Sequence, residues 1–153
     1  MRIAMIGTGY VGLVSGACFS EFGVDVVCVD KIQEKIDRLA SGNIPIYEPG
    51  LESLVKANMD SGRLTFSTSM EPAVAGADAV FIAVGTPSRR GDGHADLSYV
   101  YSAAEEISDS LTGHTVIVTK STVPVGTGDE IERRIVQRRP DLRLGEDFDV
   151  VSN

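Results

Sequence analysis

Three glycines spaced as Gly7-Thr8-Gly9-Tyr10-Val11-Gly12 stand between an apolar run and a helix-like run, the pattern of a backbone loop that cradles phosphate. Gly7 permits the tight turn, Gly9 lets the backbone approach a pyrophosphate, and Gly12 lets the following helix, over 13–22, pack close to the preceding strand. The first N–H groups of that helix have no partner within it and face an anion. Alone, GxGxxG is a weak signal. Its setting strengthens it, because a second strand-like run ends in Asp30, 18 residues after Gly12. An acid there accepts hydrogen bonds from both hydroxyls of an adenosine ribose and repels a 2′-phosphate, which favours NAD over NADP. Lys31, next in the chain, tempers that preference. The plainer alternative has the glycines serving only a tight turn and Asp30 capping a helix.

Two threonines follow strand-like runs: Thr86 after 79–84 and Thr122 after 115–119. Both belong at the carboxyl edge of a parallel sheet, where open α/β folds bind ligands. They read either as contacts to a cofactor or water, or as turn and N-cap hydroxyls. Lys120, Arg89 and Arg90 are cations within reach of a substrate phosphate, with a solvated loop the simpler reading for the two arginines. Hydride removal from an alcohol needs a base near the hydroxyl, and onward oxidation to an acid by a covalent route needs a thiolate. Cys18 and Cys28, the only cysteines, lie in apolar segments without metal-ligand spacing, and both are expected as buried free thiols rather than nucleophiles. His94 and His114 lie far from either, so no zinc constellation is expected.

The elements that must position these residues show in the hydrophobic pattern. Runs rich in β-branched residues at 3–6, 24–29, 80–84, 116–118 and 150–151 are continuous rather than alternating, as strands covered on both faces are. A weaker strand is expected over 64–67. Ile32, Ile36 and Leu39 mark one helix. A second runs over 51–60, and a third carries Leu97, Val100, Tyr101, Ala104, Ile107 and Leu111 behind an N-cap at Asp96. A further helix over 127–139 is stopped by Pro140. The alternation implies an α/β class with a doubly wound, mainly parallel sheet of about six strands. Loops 42–50 and 85–95 break the βα rhythm, and such loops are more often functional than idle.

The 153 residues, 42% apolar and 24% charged, suit one domain and exclude several. A formal net charge of −8 would repel a polyanion, which disfavours nucleic-acid binding. The longest apolar runs fall far short of the roughly 20 residues of a membrane helix. Met1-Arg2-Ile3 enters a strand directly rather than a signal peptide, so a cytoplasmic protein with no membrane partner is expected. The last strand-like run ends at once in Ser152-Asn153, and the chain is read as the amino-terminal piece of a longer protein.

Several motifs together resemble one family. They are residues 1–13 with the glycine loop, Asp30 with Lys35, Ile44-Pro45-Ile46-Tyr47-Glu48-Pro49-Gly50-Leu51, Val84-Gly85-Thr86-Pro87 and Lys120-Ser121-Thr122-Val123-Pro124-Val125-Gly126-Thr127. The sequence is similar over essentially its whole length to the UDP-glucose/GDP-mannose dehydrogenase family, nearest to members acting on UDP-glucose. The resemblance implies a Rossmann-type domain over 1–153 and an enzyme that oxidises C6 of UDP-glucose twice, with two NAD, to UDP-glucuronate. GDP-mannose or a UDP-N-acetylhexosamine is the alternative substrate within the family. By matching positions, Gly7, Gly9, Tyr10, Val11 and Gly12 hold the cofactor, Val11 through its backbone. Asp30 and Lys35 hold the adenosine ribose, Thr86 meets the cofactor farther along, and Thr122 assists near the nicotinamide by positioning water or substrate. The family's Pro-Glu-Phe-Leu-Arg-Glu segment, its catalytic cysteine, lysine, asparagine and aspartate, and its UDP-binding domain would follow Asn153. The resemblance also implies a homodimeric parent through a central helix beyond this chain, with the fragment itself free to be a monomer. Two other readings remain: a stand-alone dinucleotide-sensing module, and a methyltransferase binding S-adenosylmethionine on a similar loop.

Overall fold

The computed structural model describes residues 1–89 and 94–153. Six strands form one sheet: β1 (Arg2–Ile6), β2 (Asp25–Val29), β3 (Leu64–Ser67), β4 (Ala79–Ile82), β5 (Thr115–Thr119) and β6 (Phe148–Ser152). Their order is β3-β2-β1-β4-β5-β6 and every pairing is parallel. Six helices connect them: α1 (Tyr10–Glu21), α2 (Gln33–Ala40), α3 (Leu51–Asp60), α4 (Met70–Val74), α5 (Ser98–Ser110) and α6 (Thr127–Arg138).

Alternation along each strand divides the core in two. Ile3, Met5, Val26, Cys28 and Leu64 meet Leu13 and Ala17 of α1, Leu39 of α2 and Leu51 and Val55 of α3. On the other face Ala4, Ile6, Val80, Ile82 and Ile117 pack with Ala73 and Val74 of α4, Val100, Ala104 and Ile107 of α5, and Ile131 and Ile135 of α6. Each fully buried Val, Leu or Ile side chain contributes roughly 1.5–3 kcal/mol. A continuous apolar strand is therefore the sequence signature of helices on both faces.

Several expectations need correction. The helix after the glycine loop begins at Tyr10, not at residue 13, because Gly9 already serves as its N-cap residue. Asp96 does not occupy the N-cap of α5. Leu97 does, and Asp96 Oδ1 instead accepts the Ser98 N–H at 3.0 Å from one position farther out. Ile32 is the N-cap residue of α2 and largely exposed rather than on its buried face. The strand expected over 79–84 stops at Ile82, whose carbonyl accepts the N–H groups of Lys120 and Ser121 as the chain turns away. Helix α4 went unforeseen, since five residues are too few to show a period. Cys18 is exposed. On α1 the buried positions are Gly12, Leu13, Gly16, Ala17 and Ser20, and residue 18 falls outside that stripe.

Candidate functional site

The sheet order reverses between β1 and β4, and doubly wound folds bind ligands in the crevice outside the carboxyl ends of the strands at that point. A cleft of about 620 Å³ opens there, floored by Ile6, Gly7 and Gly9 and walled by Asp30, Gly85 and Ala103.

The glycine loop turns at Gly7, whose φ of +104° is left-handed, and an added Cβ would lie 2.5 Å from the Ala83 carbonyl oxygen. Gly12 is a close approach: its Cβ would stand 2.0 Å from the Gly7 oxygen. Gly9 differs from both, because a Cβ there meets nothing within 4 Å, so the loop's middle faces open space. Among the described residues no side chain caps α1, and its first turn holds no acid. Free N–H groups and open room at a helix start fit a dinucleotide pyrophosphate. Tyr10 and Val11, half-exposed on the first turn, contribute backbone N–H groups there. The Tyr10 hydroxyl donates to Glu48 Oε2 at 2.6 Å, which ties the loop before α3 to α1, and that carboxylate holds the phenol above its ordinary range.

Asp30 closes the outer end of the cleft. Its Oδ2 accepts from Lys35 Nζ at 2.6 Å, from the Thr8 hydroxyl at 2.7 Å and from the Thr8 N–H at 3.1 Å. Among the described residues Oδ1 accepts one bond, a long one of 3.3 Å from the Ile32 N–H. The Asp30 side chain is 13% exposed and that of Lys35 29%. Burial pushes the carboxyl up, but the Lys35 ammonium, the Thr8 hydroxyl and N–H and the Ile32 N–H outweigh it and hold Asp30 below its usual value. The result is an anion at the cleft with three donors on Oδ2 and one long bond on Oδ1.

Thr86 lies half-buried between Gly85 and Pro87, which line the cleft. Thr122 is exposed in a second recess of about 480 Å³ formed by residues 119–126 with Ser152 and Asn153. The two loops are joined, since Ser121 Oγ donates to the Val84 carbonyl at 2.7 Å and to that of Ile82 at 3.3 Å. Lys120 Nζ donates to Asn153 Oδ1 at 2.6 Å. Arg89 is exposed on the 85–95 excursion, where Ser88 pairs with Ala95, and Arg90 lies outside the described residues. Cys28 is fully buried in β2, its thiol pushed up to about 12 by burial.

Thr8, Glu48 and Ser121 fall inside motifs of the sequence that assign them no role of their own. Thr8 carries the one local signal, a hydroxyl inside the glycine fingerprint. Ser121 and Glu48 act through contacts 37 and 38 residues away, which no periodicity announces.

Residues 1–153 match the model of the UDP-glucose/GDP-mannose dehydrogenase family, NAD binding domain. The chain is 65% identical over 153 residues to the UDP-glucose 6-dehydrogenase of Rhizobium meliloti, covering 100% of this chain and 34% of that protein. It is 53% identical over 152 residues to UDP-glucose 6-dehydrogenase TuaD of Bacillus subtilis, covering 99% and 32%. The fold superposes on a ternary complex of GDP-mannose dehydrogenase from Pseudomonas aeruginosa with a TM-score of 0.94 and 38% identity, over 100% of this chain and 36% of that one. A UDP-glucose dehydrogenase from Pyrobaculum islandicum gives 0.90 and 40%, over 99% and 35%. The chain thus spans about a third of the length of the curated relatives it matches. With a β1–β4 crevice, an open glycine loop and an oriented acid at the end of β2, it belongs to the UDP-glucose/GDP-mannose dehydrogenase family and is an NAD-binding domain of that family.

Proposed function

We propose that residues 1–153 act as one NAD-binding unit of an enzyme that oxidises the C6 alcohol of UDP-glucose to the carboxylate of UDP-glucuronate, reducing two NAD. The observation that carries the reading is the Asp30 carboxylate, with three donors on Oδ2 and one long bond on Oδ1, at the outer end of the crevice. The choice of UDP-glucose rests on the two bacterial relatives named for it. NAD supplies the hydride acceptor when bound. Gly7 turns the loop, and the backbone of Gly9, Tyr10, Val11 and Gly12 binds the pyrophosphate. Asp30, with Lys35 beside it, binds the adenosine ribose, and Thr86 continues the contact along the cofactor. Thr122 sits toward the nicotinamide and positions water or the sugar.

Neither cysteine serves as nucleophile in this reading, Cys28 because it is buried in the sheet and Cys18 because it lies on the outer side of α1. The 153-residue chain is therefore expected to bind NADH yet form none from NAD and UDP-glucose. The reading extends to a cytoplasmic, homodimeric parent; light scattering of the parent tests the dimer. Among the described residues no helix is long and apolar enough to cross a membrane.

The test is fluorescence titration with NADH. Asp30→Ala should weaken binding by about 1–3 kcal/mol, the range of charge-assisted hydrogen bonds, and narrow the preference for NAD over NADP. Unchanged affinity would show that the ribose is held elsewhere. Thr122→Ala should leave NADH affinity near normal; an equal loss would make Thr122 a cofactor ligand first.

A further inference from the structure

A cofactor carrying a 2′-phosphate needs a cation beside the adenosine ribose. Two lysines stand at that end of the cleft, both among its lining residues. Lys35 is committed to Asp30 at 2.6 Å. Lys31, which directly follows Asp30, has its ammonium 2.5 Å from Glu106 Oε1 on α5, 75 residues later in the chain. The Ser102 hydroxyl, one turn earlier on α5 and also lining the cleft, donates to the same Oε1 at 3.1 Å and fixes where that carboxylate stands. The pair is open to solvent, Lys31 69% and Glu106 37% exposed, and ion pairs this exposed add little to stability. What it does control is charge: it links Lys31, at the Asp30 end of the cleft, to α5 and occupies that lysine with a carboxylate.

Resting on the reading of Asp30 as the ribose acceptor, we propose that Glu106 is a specificity-determining residue for the cofactor, excluding NADPH by holding Lys31. Asp30 is then only half of the selection, and its own neighbour would undo it without a carboxylate from α5. Glu106 meets Lys31 and Ser102 rather than lining the cleft itself, so it acts through Lys31.

Titrating the purified chain with NADH and NADPH separates the possibilities. Glu106→Gln, which keeps the shape and the Ser102 partner, should raise NADPH affinity about fivefold, the scale of one exposed charge interaction, and leave NADH affinity unchanged. Adding Lys31→Ala to Glu106→Gln should cancel the gain, because the cation that receives the phosphate is gone. Unchanged NADPH affinity in Glu106→Gln, or a gain that survives Lys31→Ala, would overturn the proposal while leaving the NAD site standing. Failure of the unmodified chain to bind NADH would overturn the site and the proposal together. Circular-dichroism spectra and melting temperatures close to those of the unmodified chain check that each variant has folded.

Discussion

Asp30 owes its orientation to a hydroxyl and an amide that lie 22 residues earlier, and its charge follows from that company. Despite its burial, Lys35 and Thr8 hold its carboxyl below the ordinary carboxylate range in the folded protein. The stabilisation is therefore complete above the unfolded value and is lost as pH falls through the folded one. Asp30→Asn should be the less stable protein near pH 6, and its gap to wild type should close as acid protonates the folded-state carboxylate; denaturant melts from neutral pH into acid check it, and a gap that widens in acid refutes it. The two inner glycines separate binding from folding. Gly9→Val places its side chain where nothing stands within 4 Å and should abolish the thermal shift given by NADH at little cost in stability, whereas Gly12→Val meets backbone at 2.0 Å and should lower the melting temperature sharply. The cysteines part company too: iodoacetamide at neutral pH should label exposed Cys18 and spare Cys28, whose thiol is raised to about 12. The glycine fingerprint and Asp30 were legible because turn chemistry is local. The exposure of Cys18 was not, because an α1 that is apolar nearly all round hides which side faces the sheet.

Helix α1 lies close over β2. A Cβ on Gly16 would lie 2.7 Å from Cys28 Sγ, so Gly16→Ala should cost about 1–3 kcal/mol through overpacking. Because the obstacle is one side chain rather than backbone, Cys28→Ala should recover part of that loss. A double-mutant cycle by urea denaturation measures the coupling, and strict additivity would mean that α1 rides outward instead. Most elements could be read in advance because each carries its own period, two for no strand here but a continuous apolar run, and 3.6 for the longer helices. What escaped were short or terminal features. Helix α4 has five residues, and the Asp96 cap slipped by one position because an Asx turn and an N-cap use the same side chain.

For the whole molecule, the two cores on opposite faces make stability and binding separable. Phe148 is fully buried at the start of β6, paired with Thr115 at the amino end of β5, and the glycine loop lies at the carboxyl edge. Phe148→Ala should cost about 3–5 kcal/mol and leave NADH affinity intact at temperatures where the variant is folded; calorimetry beside titration checks both. The class of the fold was legible from alternation of elements, but the strand order was not derivable from spacing alone. It is set by which buried faces match, a property of pairs such as Ile6 with Ile82, and of loops joined by side chains such as Ser121.

That order also dictates a timetable. A chain emerging amino end first makes β1, β2 and β3 as one wedge, and the outer margin of β1 stays bare until residues 79–82 arrive to pair with it. A bare strand margin recruits other chains. Through that interval the crevice is itself incomplete, since Ala83, Gly85, Pro87, Tyr99 and Ala103 of its lining have yet to be synthesised. The segment that covers the bare strand is followed at once by the one that completes the crevice, so closure of the sheet and the capacity to hold a dinucleotide arrive together.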